Sequence, residues 1–304
     1  MGHLNKNQIC CLIITFNPDE SIFKLIETIE NKVNSIIVVD NNSSNIVINN
    51  LVIYSRSKGI SLILNKQNEG IAKALNQGVK KAQELNYEWV ITFDQDTMPY
   101  NNIVEIISEV YNSYPRKEEI GSIGVNFSAP NHKSYYKFSG GNIYSIRDYL
   151  ITSGNLLSIK AFLEVGGFRE DFFIDNVDLE YSLRLRKHRK VNLISRKWGM
   201  FHKTGDPVTK KVFGIPVGSS NHSASRRYYM ARNHVLLSKK YLFRFPYFIM
   251  KLNYYFIISL IQLMIVEDNK KAKMIASLKG MKDGLFFPHR KMDLGNDKLA
   301  EYFK

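Results

Sequence analysis

Residues 91–99 read Ile-Thr-Phe-Asp-Gln-Asp-Thr-Met-Pro, an apolar run that stops at two carboxylates, Asp94 and Asp96, one residue apart. Side chains alternate along a strand, so acids at i and i+2 at its end can point the same way into a crevice. Such a pair suits a hard divalent cation, Mg2+ or Mn2+, which takes carboxylate oxygens together with those of a diphosphate and keeps several waters. The pattern is also common in loops, where one aspartate caps the next helix beside a solvated neighbour. The rest of the chain has to decide between the two.

Upstream, strand and helix signals alternate. Ile9 to Phe16 is an apolar run of strand length, Ser21 to Val33 has helical spacing through Ile22, Leu25, Ile26 and Ile29, and Ser35 to Val39 is a second strand ending at Asp40. Ile60 to Leu64, a helix from Gly70 to Leu85, and the strand Tyr87 to Phe93 repeat the pattern. Near-continuous apolar strands joined by helices predict an α/β fold with a parallel sheet buried on both faces, and ligands in such sheets sit beyond the carboxyl ends of the strands. The polar residues gather there: Thr15 and Asn17, then Asp40 to Ser43, then Asn68 to Gly70, then the two acids.

Each cluster has a chemical use. Asp40 can accept the imide N–H of a uracil or thymine ring, although Asp-Asn-Asn-Ser is equally a good turn and helix-cap string. Asn68-Glu-Gly70 precedes a helix whose small face, Ala72, Ala74, Gly78 and Ala82, would let a ligand approach the backbone near a helix N-terminus. A Gly-x-Gly-x-x-Gly dinucleotide fingerprint is absent after the first strand, as is a Gly-x-x-x-x-Gly-Lys-Ser/Thr phosphate loop, which weakens nicotinamide and ATPase readings.

The 304 residues, 44% of them hydrophobic, suit one globular domain, placed at 1–235, with an extension over 236–304. From Arg184 onward there are 26 Lys and Arg against 7 Asp and Glu, while the preceding residues hold 16 against 21. The C-terminal part is therefore the basic one, and it favours a polyanionic partner: a nucleic acid, an anionic membrane surface or a diphosphate. Nucleic acid is disfavoured, because the basic residues crowd beside an apolar stretch rather than lining an aromatic-interleaved groove. That stretch, Tyr247 to Val266, is interrupted only by Lys251, Asn253 and Gln262 and flanked by Arg244, Lys270, Lys271 and Lys273. A peripheral membrane helix is the expectation, with a spanning helix, a core helix and a homodimer contact as alternatives. Adjacent Cys10 and Cys11 and a polar N-terminus up to Gln8 point to the reducing cytosol.

Taken in order, Thr15-Phe-Asn17, Val-Val-Asp40-Asn-Asn42-Ser43, Asn68-Glu-Gly70-Ile-Ala72-x-Ala74-x-Asn76-x-Gly78 and Phe-Asp94-Gln95-Asp96 resemble the inverting family 2 glycosyltransferases of GT-A fold. The resemblance continues through Ser153-Gly154-Asn155, Gly166-Gly167-Phe168, Phe173-Ile-Asp175-Asn-Val-Asp178-Leu-Glu180 and Arg184, and the Asp-Gln-Asp form resembles rhamnosyltransferase-like members that build bacterial surface polysaccharides. It implies a metal-dependent transfer from a nucleotide-sugar, dTDP-rhamnose first among donors with galactofuranosyl or glucosyl nucleotides as alternatives. The implied acceptor is a lipid-linked glycan at the cytoplasmic face of the membrane. A catalytically silent nucleotide-sugar-binding scaffold is the rival from another class.

The resemblance also implies roles. Thr15, Asn17, Asp40, Asn42, Asn68, Gly70, Asn76, Asp94 and Gln95 would hold the donor nucleotide, with Asp96, Asp94 and His202 at the Mg2+ or Mn2+. Ser153, Gly154, Asn155, Arg184, Arg226, Tyr229 and Arg232 would serve the diphosphate or acceptor. Inversion needs a base for the acceptor hydroxyl. Alignment on Arg184 makes Asp178 the first choice and leaves Asp175 a rival, because Val177 stands where the family usually has Glu.

Overall fold

The computed structural model describes residues 4–128, 136–138, 140–202 and 208–286. The chain forms two units. Among the described residues, the first runs to Arg169 and resumes at Asp178 through His202; the second takes Glu170–Val177 and the residues from Val208 on. The boundary expected at 235 falls inside a helix of the second unit, and residues 287–304 of the expected extension lie outside the described residues.

In the first unit, β1 (Ile9–Thr15), β2 (Ser35–Asp40), β3 (Ser61–Leu64) and β4 (Trp89–Asp94) lie side by side in the order β3-β2-β1-β4, all parallel. Every residue of β1 is buried, as a strand covered on both faces must be. The crossovers are α1 (Ser21–Ile29), α2 (Asn45–Lys58) and α3 (Ile71–Glu84). Ile22, Leu25, Ile26 and Ile29 of α1 enter the core together, as their spacing dictates. The small face of α3 also goes inward, since a side chain at Gly78 would overlap Leu12 of β1. Ala72, Ala74, Gly78 and Ala82 therefore bring helix against sheet and are not an opening for a ligand, which corrects the sequence reading.

Beyond β4 the sheet turns mixed. β5 (Thr97–Pro99) and α4 (Ile103–Ser113) follow, then β6 (Ile120–Ser128), β7 (Tyr144–Arg147), β8 (Asn155–Ser158), α5 (Ile159–Val165), α6 (Val177–Lys187) and β9 (Val191–His202). β8 runs antiparallel between β4 and β6, and β9 pairs parallel with β6 and antiparallel with β7 and β5. β5 is an edge strand, where Pro99 costs no ladder hydrogen bond.

The second unit holds a hairpin of β10 (Val208–Val212) and β11 (Ile215–Ser219), then α7 (Ala224–Tyr241), α8 (Pro246–Val266) and α9 (Lys270–Phe286). Helices α7 and α9 touch backbone to backbone, because Ala276, Gly280 and Gly284 recur every four residues on one face. A Cβ at Gly280 would overlap the Tyr228 carbonyl, and one at Gly284 would lie 2.8 Å from that of Arg232. Buried Glu267 gathers Arg227, Ser219 and Lys273, the last at 2.9 Å. Lys273 is thus an interior ion-pair member and not the basic flank expected from the sequence.

Helix α8 is 21 residues long and apolar enough to cross a membrane by length and composition. Its Asn253 accepts from Ser238 at 2.9 Å and pairs with His234 at 2.7 Å, so this polar group is spent inside the unit. Tyr247, Met250, Tyr254, Ile257, Ile261 and Met264, spaced three and four apart, stay exposed.

Candidate active site

The strand ends of the first unit are tied to one another by side chains. Thr15 Oγ1 donates to Asp40 Oδ2 at 2.9 Å, and the Ser43 amide and hydroxyl donate to the same carboxylate. Asp40 is fully buried, so an imide N–H reaches it only if this turn moves. Asn17 and Asn42 adopt left-handed backbone, with φ of 46° and 71°, as short polar residues tolerate, and both remain exposed. The Asn17 amide donates to Ser43 Oγ at 2.7 Å and its side chain accepts from Ser44 N at 2.8 Å. Gln95 clamps the main chain of Phe16 in both directions, accepting from its N–H at 2.8 Å and donating to its carbonyl at 3.2 Å.

Asn68 accepts from the Gly70 amide at 3.0 Å and sets the turn into α3, where Gly70 has a φ of 82° that favours glycine. Asn76, expected at the nucleotide, instead holds Phe168 at both ends of its amide, at 2.8 and 2.9 Å. A Cβ on Gly167 would lie 3.0 Å from Asn76 Oδ1, so the Gly166-Gly167-Phe168 turn is fitted around that amide.

Asp94, Asp96 and His202 each offer a ligand atom, all within 4.8 Å of one another. The fold assembles them from two places: Asp94 closes β4, Asp96 sits in the turn, and β5 carries the chain to β9, where Thr97 pairs with His202. His202 Nε2 lies 4.0 Å from Asp94 Oδ2. Its Nδ1 is 2.9 Å from Thr97 Oγ1, which is 2.6 Å from Ser153 Oγ, and Ser153 Oγ accepts from the Asp94 amide at 3.1 Å. Two carboxylates and an imidazole that converge, Asp94 and His202 half-buried and Asp96 exposed, fit a divalent cation. Gly154, at φ 66°, leaves no room for a side chain, since a Cβ there would run into Met200 and Val125. Asn155 lies in the same strand pairing, in register with Thr92 of β4 and Gly124 of β6.

The acids near α6 divide. Asp178, half buried in the first turn of the helix, accepts from the Leu179 amide at 2.8 Å. Asp175 belongs to a loop in which Phe173, Asp175 and Asn176 all have positive φ, and Arg226 grips it with Nε at 3.0 Å and Nη2 at 2.9 Å. Asn233 Nδ2 lies 2.8–2.9 Å from the carbonyls of Phe172, Ile174 and Asp175. Arg232 donates to the Asp171 carbonyl, and Tyr229 stacks on Phe173 at 5.0 Å. Arg226, Tyr229 and Arg232 were expected at the diphosphate or acceptor; in the structure they hold the Asp175 loop, and Tyr229 and Arg232 are buried. Arg184, expected at the diphosphate or acceptor, pairs with fully buried Glu180 at 2.7 Å and donates to the Val165 carbonyl at 2.8 Å. Sequence reading missed Thr97 as the partner of His202, because a three-residue strand with a proline carries almost no periodic signal.

Residues 10–170 match the model of glycosyl transferase family 2, more than half of the chain. The chain belongs to glycosyl transferase family 2. Over 252 residues this glycosyltransferase is 30% identical to the dTDP-rhamnosyl transferase RfbF of Shigella flexneri, covering 78% of the chain and 81% of that protein. Its fold is similar to the mannosyltransferase PcManGT of Pyrobaculum calidifontis, solved with GDP-Man and Mn2+, at TM-score 0.57 and 12% identity over 97% of this chain and 78% of that one. It is also similar to S. aureus TarS 1-349 in complex with UDP-GlcNAc, at TM-score 0.52 and 11% identity over 97% and 78%. These likenesses bear out the GT-A fold and the family expected from the ordered strand-end motifs.

Proposed function

We propose that this family 2 glycosyltransferase carries out an inverting, metal-dependent transfer of rhamnose from dTDP-rhamnose to a lipid-linked glycan at the cytoplasmic membrane face. The observation that carries the reading is the convergence of Asp94, Asp96 and His202 at the carboxyl edge of the sheet, in a chain similar to a dTDP-rhamnosyl transferase. These three residues would hold Mg2+ or Mn2+, which neutralises charge on a departing diphosphate. Thr15, Asn17, Asn42 and Gln95 line the strand ends where the nucleoside would lie, with Asp40 setting their turn. Asp178 takes the proton of the acceptor hydroxyl as its oxygen bonds to the anomeric carbon and the bond to the diphosphate breaks on the opposite face. Its rival Asp175 is held by Arg226 in a two-point ion pair, which commits that carboxylate to its loop.

Nucleotide-sugars screened by thermal shift, each with and without Mn2+, test the donor, since a ligand of the native state raises the melting point. dTDP-rhamnose with Mn2+ should give the largest shift; a larger one from a UDP-sugar reassigns the donor. Asp96→Asn should cut turnover at least about 100-fold, and full activity in EDTA would remove the cation from the reading.

A further inference from the structure

We propose that Thr97 is a positioning residue for the cation. Its hydroxyl accepts the Nδ1 proton of His202, turning the Nε2 lone pair toward Asp94 and Asp96, and Ser153 holds Thr97 in that role. This rests on the cation reading above. A ligating imidazole must present an unprotonated nitrogen, and a neutral ring carries only one N–H. Nε2 is the nitrogen on the carboxylate side, 4.0 Å from Asp94 Oδ2. The proton therefore belongs on Nδ1, where Thr97 Oγ1 waits at 2.9 Å.

Thr97 is fully buried, and its own proton has a destination in Ser153 Oγ at 2.6 Å. The opposite direction, with Thr97 donating to Nδ1, would put N–H on Nε2 among the carboxylates and close the site to a cation. The geometry is set by the sheet, since Thr97 and His202 are register partners of β5 and β9. The Phe127 ring, edge-on to the imidazole at 5.6 Å, restricts its rotation. Ser153 Oγ also takes the Asp94 amide, so the chain of hydroxyls ties the first carboxylate to the histidine. Partners that orient a ligating histidine are worth about 10–100-fold in metal affinity.

The test is Mn2+ affinity, read from the electron paramagnetic resonance of free Mn2+, with the full chain in Mn2+ alone and in Mn2+ with excess dTDP. Thr97→Val, which keeps volume and removes the hydroxyl, should bind about 10–100-fold more weakly. Thr97→Ser, which restores the hydroxyl, should return to wild-type affinity, a rescue that loss of packing would not produce. Should Thr97→Val fail to melt cooperatively in EDTA, Ser153→Ala takes its place and should also weaken Mn2+. Wild-type affinity in Thr97→Val, or in Ser153→Ala where that stands in, alongside a loss in His202→Ala overturns the relay and leaves the ligand set standing. Undiminished affinity in His202→Ala, or no Mn2+ bound by the wild type in either arm, overturns the cation reading and the relay with it.

Discussion

Asp178 and Asp175 lie three positions apart, and their partners give them different tasks. On the proposed mechanism Asp178→Asn preserves shape and removes the base, so the nucleotide-sugar donor should bind as before while transfer falls by about 100- to 10,000-fold. Asp175→Asn should chiefly release Arg226 and the left-handed loop, lowering the melting point with a smaller loss of transfer. Single-turnover rates beside donor titrations separate the two, and near-normal transfer in Asp178→Asn would move the base to Asp175. At this scale the sequence shows the chemistry a residue offers but not what already occupies it. The position of Asp94 and Asp96 at a strand end was legible because the strand before them is apolar but for Thr92. The partners of Arg184 and Arg232 were illegible because a charged side chain looks the same in sequence whether it faces a substrate or a buried Glu180 or backbone carbonyl.

Elements were legible where hydrophobic period and length agree, as in β1, β2, β4, α1 and α3. They were illegible where pairing over a long sequence separation decides, as when β5 meets β9 and sets Thr97 against His202; that His202 belongs with the acids came only from the family resemblance. The packing of α7 on α9 sits between these cases, since Ala276, Gly280 and Gly284 are visible at four-residue spacing yet point to no partner by themselves. Gly280→Ala tests that packing. Helix propensity alone would gain about 1 kcal/mol, but the new methyl overlaps the Tyr228 carbonyl, which cannot rotate away as a side chain does. A net loss of about 1–3 kcal/mol in urea unfolding is expected from such overpacking. Exposed Lys282→Ala should change little, and a net gain in Gly280→Ala would mean that the two helices stand farther apart.

For the whole molecule, acidity and surface are the levers. Burial, then Arg226 and Arg227, depress the His222 pKa to about 4 from 6.5, against the opposing pull of Asp175 and Glu267. A histidine held neutral when folded is protonated more readily when unfolded, so its contribution is complete above about pH 6.5 and lost as pH falls toward 4. Urea midpoints should decline across that window, and His222→Gln should flatten the decline. Burial raises the Glu267 pKa, but Ser219, Lys273 and Arg227 outweigh it and hold it below 4.5, so its loss comes at lower pH. On the surface, the exposed stripe of α8 is joined by α9, which exposes Ile275, Leu278 and Leu285 along with Lys271 and Lys282. Cofloatation with anionic vesicles, weakening as salt rises, is the expected outcome. A chain that stays in the soluble fraction at low salt makes the stripe a contact between copies.

The two-way clamp of Gln95 on Phe16 makes one mechanical piece of the β1 end and the turn between Asp94 and Asp96. Whatever freedom that piece loses when a nucleoside settles on the β1 side need not be lost again when a cation arrives on the other. On the proposed reading each ligand then tightens the other by the same factor, and Gln95→Ala, which also takes one contact from the nucleoside side, should shrink that factor as well as weaken the nucleoside.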